Sequence, residues 1–101
     1  MKRELKSKWI KALRSGKYKQ GKGRLKKNGK FCCLGVLRDV VNPKDRRGEN
    51  GMLSPKQLDE FGLTDNKQNF LASRNDGLGM QNPDRLQWNF NQIADYIQAN
   101  L

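Results

Sequence analysis

The sequence predicts a small α+β domain, mostly helical, with about four to five short helices and one β-hairpin near its N-terminus. Three observations predict it. Apolar residues recur at helical spacing in several segments that begin at capping residues and stop at glycines. Asn28-Gly29 marks a two-residue hairpin turn, because both central positions of a type I′ turn need positive φ. The longest apolar run, Phe31-Cys32-Cys33-Leu34-Gly35-Val36-Leu37, follows that turn directly. It reads as the end of a hairpin strand that feeds a central buried helix. Residues 1–101 suit a single domain with one modest core.

Residues 4–15 predict the first helix. Leu5, Trp9, Ala12 and Leu13 form its apolar face, and Lys8, Lys11 and Arg14 lie opposite. Gly16 stops it. Lys17, Tyr18 and Lys19 then set an aromatic ring between two cations. The two-residue turn pairs Lys27 with Lys30, Lys26 with Phe31 and Leu25 with Cys32, which turns Leu25 and Cys32 inward. Lys27 opposite Lys30 is unfavourable in the free protein and calls for an anion between them.

Residues 33–41 predict a helix buried on most sides, with Gly35 allowing a close helix crossing. Asn42-Pro43 ends it. Residues 44–51 read as a mobile polar loop. Ser54 caps the next helix, Pro55 occupies its first turn, Gln57 completes a capping box, and Leu53 staples to Leu58. That helix stops at Gly62. A short helix over residues 67–74 turns Phe70 and Leu71 inward. Asn75-Asp76-Gly77 closes it as a turn whose side chains satisfy local backbone donors, the alternative being a site for a cation or a ligand hydroxyl. Residues 77–88 read as a loop containing Gly79 and Pro83. Asn89 caps the last helix with Gln92 as its box partner, and Phe90, Ile93, Ala94, Ile97 and Leu101 form its apolar face.

Charge is divided unevenly. Residues 1–30 hold thirteen Lys and Arg against the single acid Glu4, a net of +12, whereas residues 31–101 net −1. Such asymmetry points to a polyanionic partner. With no His and two Cys, a zinc site within one chain lacks ligands, and Cys–His or Ser–His catalytic pairs are excluded. The adjacent cysteines read as buried, reduced thiols. Asp76, Asp95 and Glu60 show no spacing that pairs them for acid–base work. No enzyme, no metal and no cofactor is therefore expected. There is no apolar run of about 18 residues to span a membrane and no signal-type segment, so a cytoplasmic location is expected.

Several motifs stand together: Trp9-x2-Ala12-Leu13-x-Ser15-Gly16-x-Tyr18-x-Gln20, the run from Phe31 to Leu37, Asn75-Asp76, and Ile93-Ala94-Asp95-Tyr96-Ile97. This pattern resembles a set of small uncharacterised proteins from bacteriophages and their bacterial hosts. The resemblance spans nearly the whole chain. It implies a phage or prophage setting and expression inside the host cell, and it implies no mechanism.

The expected function is binding of nucleic acid or a nucleotide. The residues expected to carry it are Lys8, Lys11 and Arg14 on the helix, and Lys17, Lys19, Lys22, Arg24, Lys26, Lys27 and Lys30 around the hairpin. They would neutralise phosphates with release of counterions. Tyr18 would stack on a ligand ring. No helix-turn-helix or other standard base-reading motif is evident. The alternative is a phage-encoded inhibitor of a host defence protein, docking on an acidic surface or sequestering a nucleotide signal.

Overall fold

A computed structural model describes residues 1–77 and 87–101. The order is α1 (Arg3–Arg14), β1 (Lys19–Gln20), β2 (Lys26–Lys27), β3 (Lys30–Phe31), α2 (Cys33–Val41), α3 (Pro55–Phe61), α4 (Asp65–Asp76) and α5 (Phe90–Asn100). The fold is thus α+β, helical in the main, with the hairpin near the N-terminus. The expected loop containing Gly79 and Pro83 lies outside the described residues.

The core is built on α2. Its residues Cys33, Leu34, Gly35, Val36, Leu37 and Arg38 are all buried. On one side α1 brings Trp9 and Leu13, and α5 brings Ile93, Ala94 and Ile97. Trp9 is fully buried, and its indole Nε1 donates to the Cys33 carbonyl at 2.9 Å. That bond fixes α1 to the start of α2 and leaves no polar atom of the ring unsatisfied. Cys32 caps α2, its Sγ accepting from the Gly35 amide at 3.4 Å.

Gly35 has a different partner from the one expected. A Cβ there would overlap the Leu25 carbonyl, so the glycine admits the hairpin backbone and not a crossing helix. Leu25 and Cys32 are both buried, as the turn register requires.

The sheet has three short strands in the order β1-β3-β2. The β2–β3 pair is antiparallel, with Lys27 opposite Lys30 and Lys26 opposite Phe31, joined by Asn28 and Gly29 at φ 54° and 78°. The strand β1 was not anticipated. It lies parallel to β3, with Lys19 beside Lys30 and Gln20 beside Phe31.

Two other readings change. The loop over residues 44–51 is tied down. Arg47 Nη2 lies 2.9 Å from Asp45 Oδ2 and 2.9 Å from Glu60 Oε2. Its carbonyl accepts from Arg38 at 2.7 Å and from the buried Gln57 at 3.2 Å. Helix α4 begins before residue 67, because the Thr64 hydroxyl caps it by accepting from the Lys67 amide at 3.2 Å. The capping boxes of Ser54 with Gln57 and Asn89 with Gln92 both form.

Candidate anion-binding cleft

Side chains alternate between the faces of a sheet, so the register assigns each hairpin residue to a side. Lys19, Lys30 and Lys27 form one row across the three strands, and Gln20, Phe31 and Lys26 form the row behind it. On the rear side Tyr18 meets Phe31 edge-on, with ring centroids 4.9 Å apart, and Lys26 Nζ lies 5.3 Å over the Phe31 ring. On the front side Gly21, Lys22, Arg24, Lys27, Asn28 and Lys30 line a cleft of about 180 Å3. Gly21 is required at its place: its amide donates to the Phe31 carbonyl at 2.7 Å, and a Cβ on it would come within 2.9 Å of Lys30 Cβ.

The loop that carries the cleft is held from below. Asn75, at the end of α4, is 0% exposed. Its Oδ1 accepts from Gln20 Nε2 at 2.9 Å and from the Cys33 amide at 3.1 Å. Its Nδ2 donates to the Gly21 carbonyl at 2.8 Å and to Asp76 Oδ1 at 2.9 Å. All four hydrogen-bonding positions of the amide are therefore filled. Asp76 Oδ1 also accepts from the Gly23 amide at 3.1 Å. The side chains of Asn75-Asp76 thus do satisfy backbone groups, but distant ones, on the basic loop and at the start of α2. On another side of the loop, the backbone of Gly51 packs against the Gly23 carbonyl.

Among the described residues the cations of the cleft have no acidic partner. The ion pairs among the described residues are Arg14–Asp95, Arg47–Asp45 and Arg47–Glu60. None involves Lys19, Lys22, Arg24, Lys27 or Lys30. Neighbouring ammonium groups in such a row repel by on the order of 1 kcal/mol or less at water-like screening. An anion seated among them removes that cost.

The remaining expected residues lie elsewhere. Lys8 and Lys11 are exposed on α1, and Lys17 is exposed in the turn after it. Arg14 is bound to Asp95 at 2.8 Å and to Gln98 at 3.1 Å. Lys26 is on the rear of the sheet. Tyr18 is part of the fold: its hydroxyl donates to Asp39 Oδ2 at 2.7 Å. Burial, followed by the bond to Asp39, pushes its pKa up to about 12. The structure therefore gathers Lys22, Arg24, Lys27 and Lys30 into one cleft, with Lys19 adjoining. The residues that reasoning from sequence missed are Asn28 in the lining and the brace of Gln20, Asn75 and Asp76. Gln20, Cys33 and Asn75-Asp76 all belong to the motifs set out above, and they meet here.

Both thiols are free and buried. Burial pushes Cys32 up to about 11 and raises Cys33 well above its ordinary value, so both are neutral near pH 7. Among the described residues no group of three or more His, Cys, Asp or Glu is placed to hold a metal. No described helix is long and apolar enough to cross a membrane.

Fold and cleft together define a small α+β domain that carries a braced cationic hairpin on a helical core. Residues 1–56 match the family described as Domain of unknown function (DUF8296), and the chain belongs to that family. The matched segment contains every residue lining the cleft, whereas Asn75 and Asp76 lie beyond it. No curated protein and no solved structure matches the chain.

Proposed function

We propose that this protein binds a phosphate-bearing polyanion, nucleic acid or nucleotide, in the hairpin cleft, in the phage or prophage setting that the resemblance described above implies. One observation carries the reading. Four cations line a single cleft with no acidic partner among the described residues, on a loop whose backbone is already bonded to the core. Lysine and arginine side chains there would neutralise phosphates and release counterions. Because the loop is braced before a ligand arrives, little ordering entropy opposes binding. A binding role, with no reaction on the ligand, fits the commitments of the reactive groups. The thiols are buried and neutral, and Glu60 is held by Arg47.

The test is fluorescence anisotropy of a labelled oligonucleotide at salt concentrations from about 50 to 200 mM. Affinity should fall steeply with salt. The double variant Lys27→Ala/Lys30→Ala should bind at least about ten-fold more weakly, since it loses two phosphate contacts, while its melting temperature stays at or above that of the parent. Unchanged binding by the double variant would overturn the assignment. Failure to bind any polyanion, with a host protein recovered instead, would favour the inhibitor reading.

A further inference from the structure

Two features of the cleft bear on which phosphate ligand it takes. The first is the row of lysines. Lys19, Lys30 and Lys27 stand side by side on β1, β3 and β2. Adjacent strands lie about 4.8 Å apart, so the row is about 10 Å long. The row is longer than a single phosphate group, so it can meet more than one phosphate of an extended chain. Lys30 and Lys27 end the row inside the cleft, where Lys22 and Arg24 continue the positive surface. A single phosphate or a pyrophosphate would fit within the cleft and leave Lys19, which does not line it, unmet.

The second feature is the lining. Gly21, Lys22, Arg24, Lys27, Asn28 and Lys30 include no aromatic and no apolar side chain. Reading a base takes a stacking platform or a set of groups aimed at its edge. The two aromatic rings of the hairpin region are otherwise engaged. Tyr18 is bound to Asp39 and edge-on to Phe31, and Phe31 faces Lys26 on the opposite side of the sheet.

From these features we infer that the site takes a run of consecutive phosphates and leaves whatever is attached to them unread. The ligand class is a linear phosphate chain, whether a single-stranded nucleic-acid backbone or inorganic polyphosphate. A nucleoside monophosphate is disfavoured. The inference rests on the proposed reading of the cleft as an anion site and narrows it.

Competition against a labelled oligothymidylate tests it, with the intact chain and three competitors: oligodeoxyadenylate, inorganic polyphosphate and AMP. The two polymers should displace the label with midpoints that agree within about three-fold per phosphate, and AMP, with its single phosphate, should be at least about thirty-fold weaker, as expected when several phosphates act together. Lys19→Ala should weaken oligothymidylate binding about five-fold near 0.1 M salt and lower the salt slope by about 0.7. It should leave pyrophosphate binding unchanged. Lys19→Gln, with the same loss of charge and a longer side chain, should match Lys19→Ala, and both should melt like the parent. AMP competing as well as the polymers, a preference for one base, or unaltered polymer binding by the Lys19 variants would overturn the inference while leaving the cleft as an anion site. Absence of binding to both pyrophosphate and oligothymidylate would remove the cleft reading itself.

Discussion

Asn75 is the residue through which the helical core takes hold of the basic loop. Its amide closes four hydrogen bonds while fully buried. Replacing it with Ala would orphan the buried Cys33 amide and the half-buried Gly21 carbonyl, and an unpaired group costs about 1–3 kcal/mol when it is buried. Asn75→Ala is therefore expected to lose about 3 kcal/mol in urea denaturation. A loss under about 0.5 kcal/mol, the scatter of an ordinary surface substitution, would show that water replaces the amide without cost. The residue type was legible in the sequence, and so was its tendency to satisfy backbone groups. Three of its four partners were not, because they lie between 42 and 55 residues away along the chain. Tyr18 shows the same limit. A ring between two lysines reads as a ligand platform until the fold supplies Asp39 and Phe31.

At the scale of elements, Gly35 decides how the hairpin meets α2. A Cβ there would overlap the Leu25 carbonyl, which is backbone and not the end of a flexible side chain. Gly35→Ala is expected to cost at least about 3 kcal/mol, beyond the usual range for overpacking. Gly16→Ala is the control: its φ of 77° strains a side chain, but nothing lies within 4 Å, and about 1 kcal/mol is expected. Urea midpoints followed by circular dichroism compare the two, and equal losses would contradict this packing.

The clamp on the loop after α2 sets an acid limit. Hydrogen bonding and charge from Arg47 hold the carboxyls of Asp45 and Glu60 below their ordinary values of 3.8 and 4.5. Carboxylates so depressed stabilise the fold above their ordinary values, and that contribution is lost as pH falls through and below them. The urea midpoint should accordingly stay level from about pH 7 to 5 and drop between about pH 4 and 2. In Arg47→Met the drop should be shallower, and an identical pH profile would contradict the clamp. Elements set by adjacent residues were legible in the sequence: the Asn28-Gly29 turn and the boxes at Ser54 and Asn89. The strand β1 was not, because two residues become a strand only when β3 lies beside them. The start of α4 was obscured by Asp65 and Asn66, whose side chains compete with the helix backbone elsewhere.

For the molecule as a whole, the division of charge was visible from the start, with the entire surplus in residues 1–30. Which of those cations act together was decided by sheet register, a property of pairing and not of composition. The outcome is a core to which α1, α2, α3, α4 and α5 all contribute and that presents Lys22, Arg24, Lys27 and Lys30 around one cleft. The location of polyanion binding is tested most directly by amide chemical shifts in a nuclear magnetic resonance titration with a short oligonucleotide. The account predicts that the amides of residues 19–24 and 27–31 move first and furthest, and that those of α4 and α5 away from Asn75 stay in place. The largest shifts on the outer faces of α1 or α5, with the hairpin amides unmoved, would contradict it.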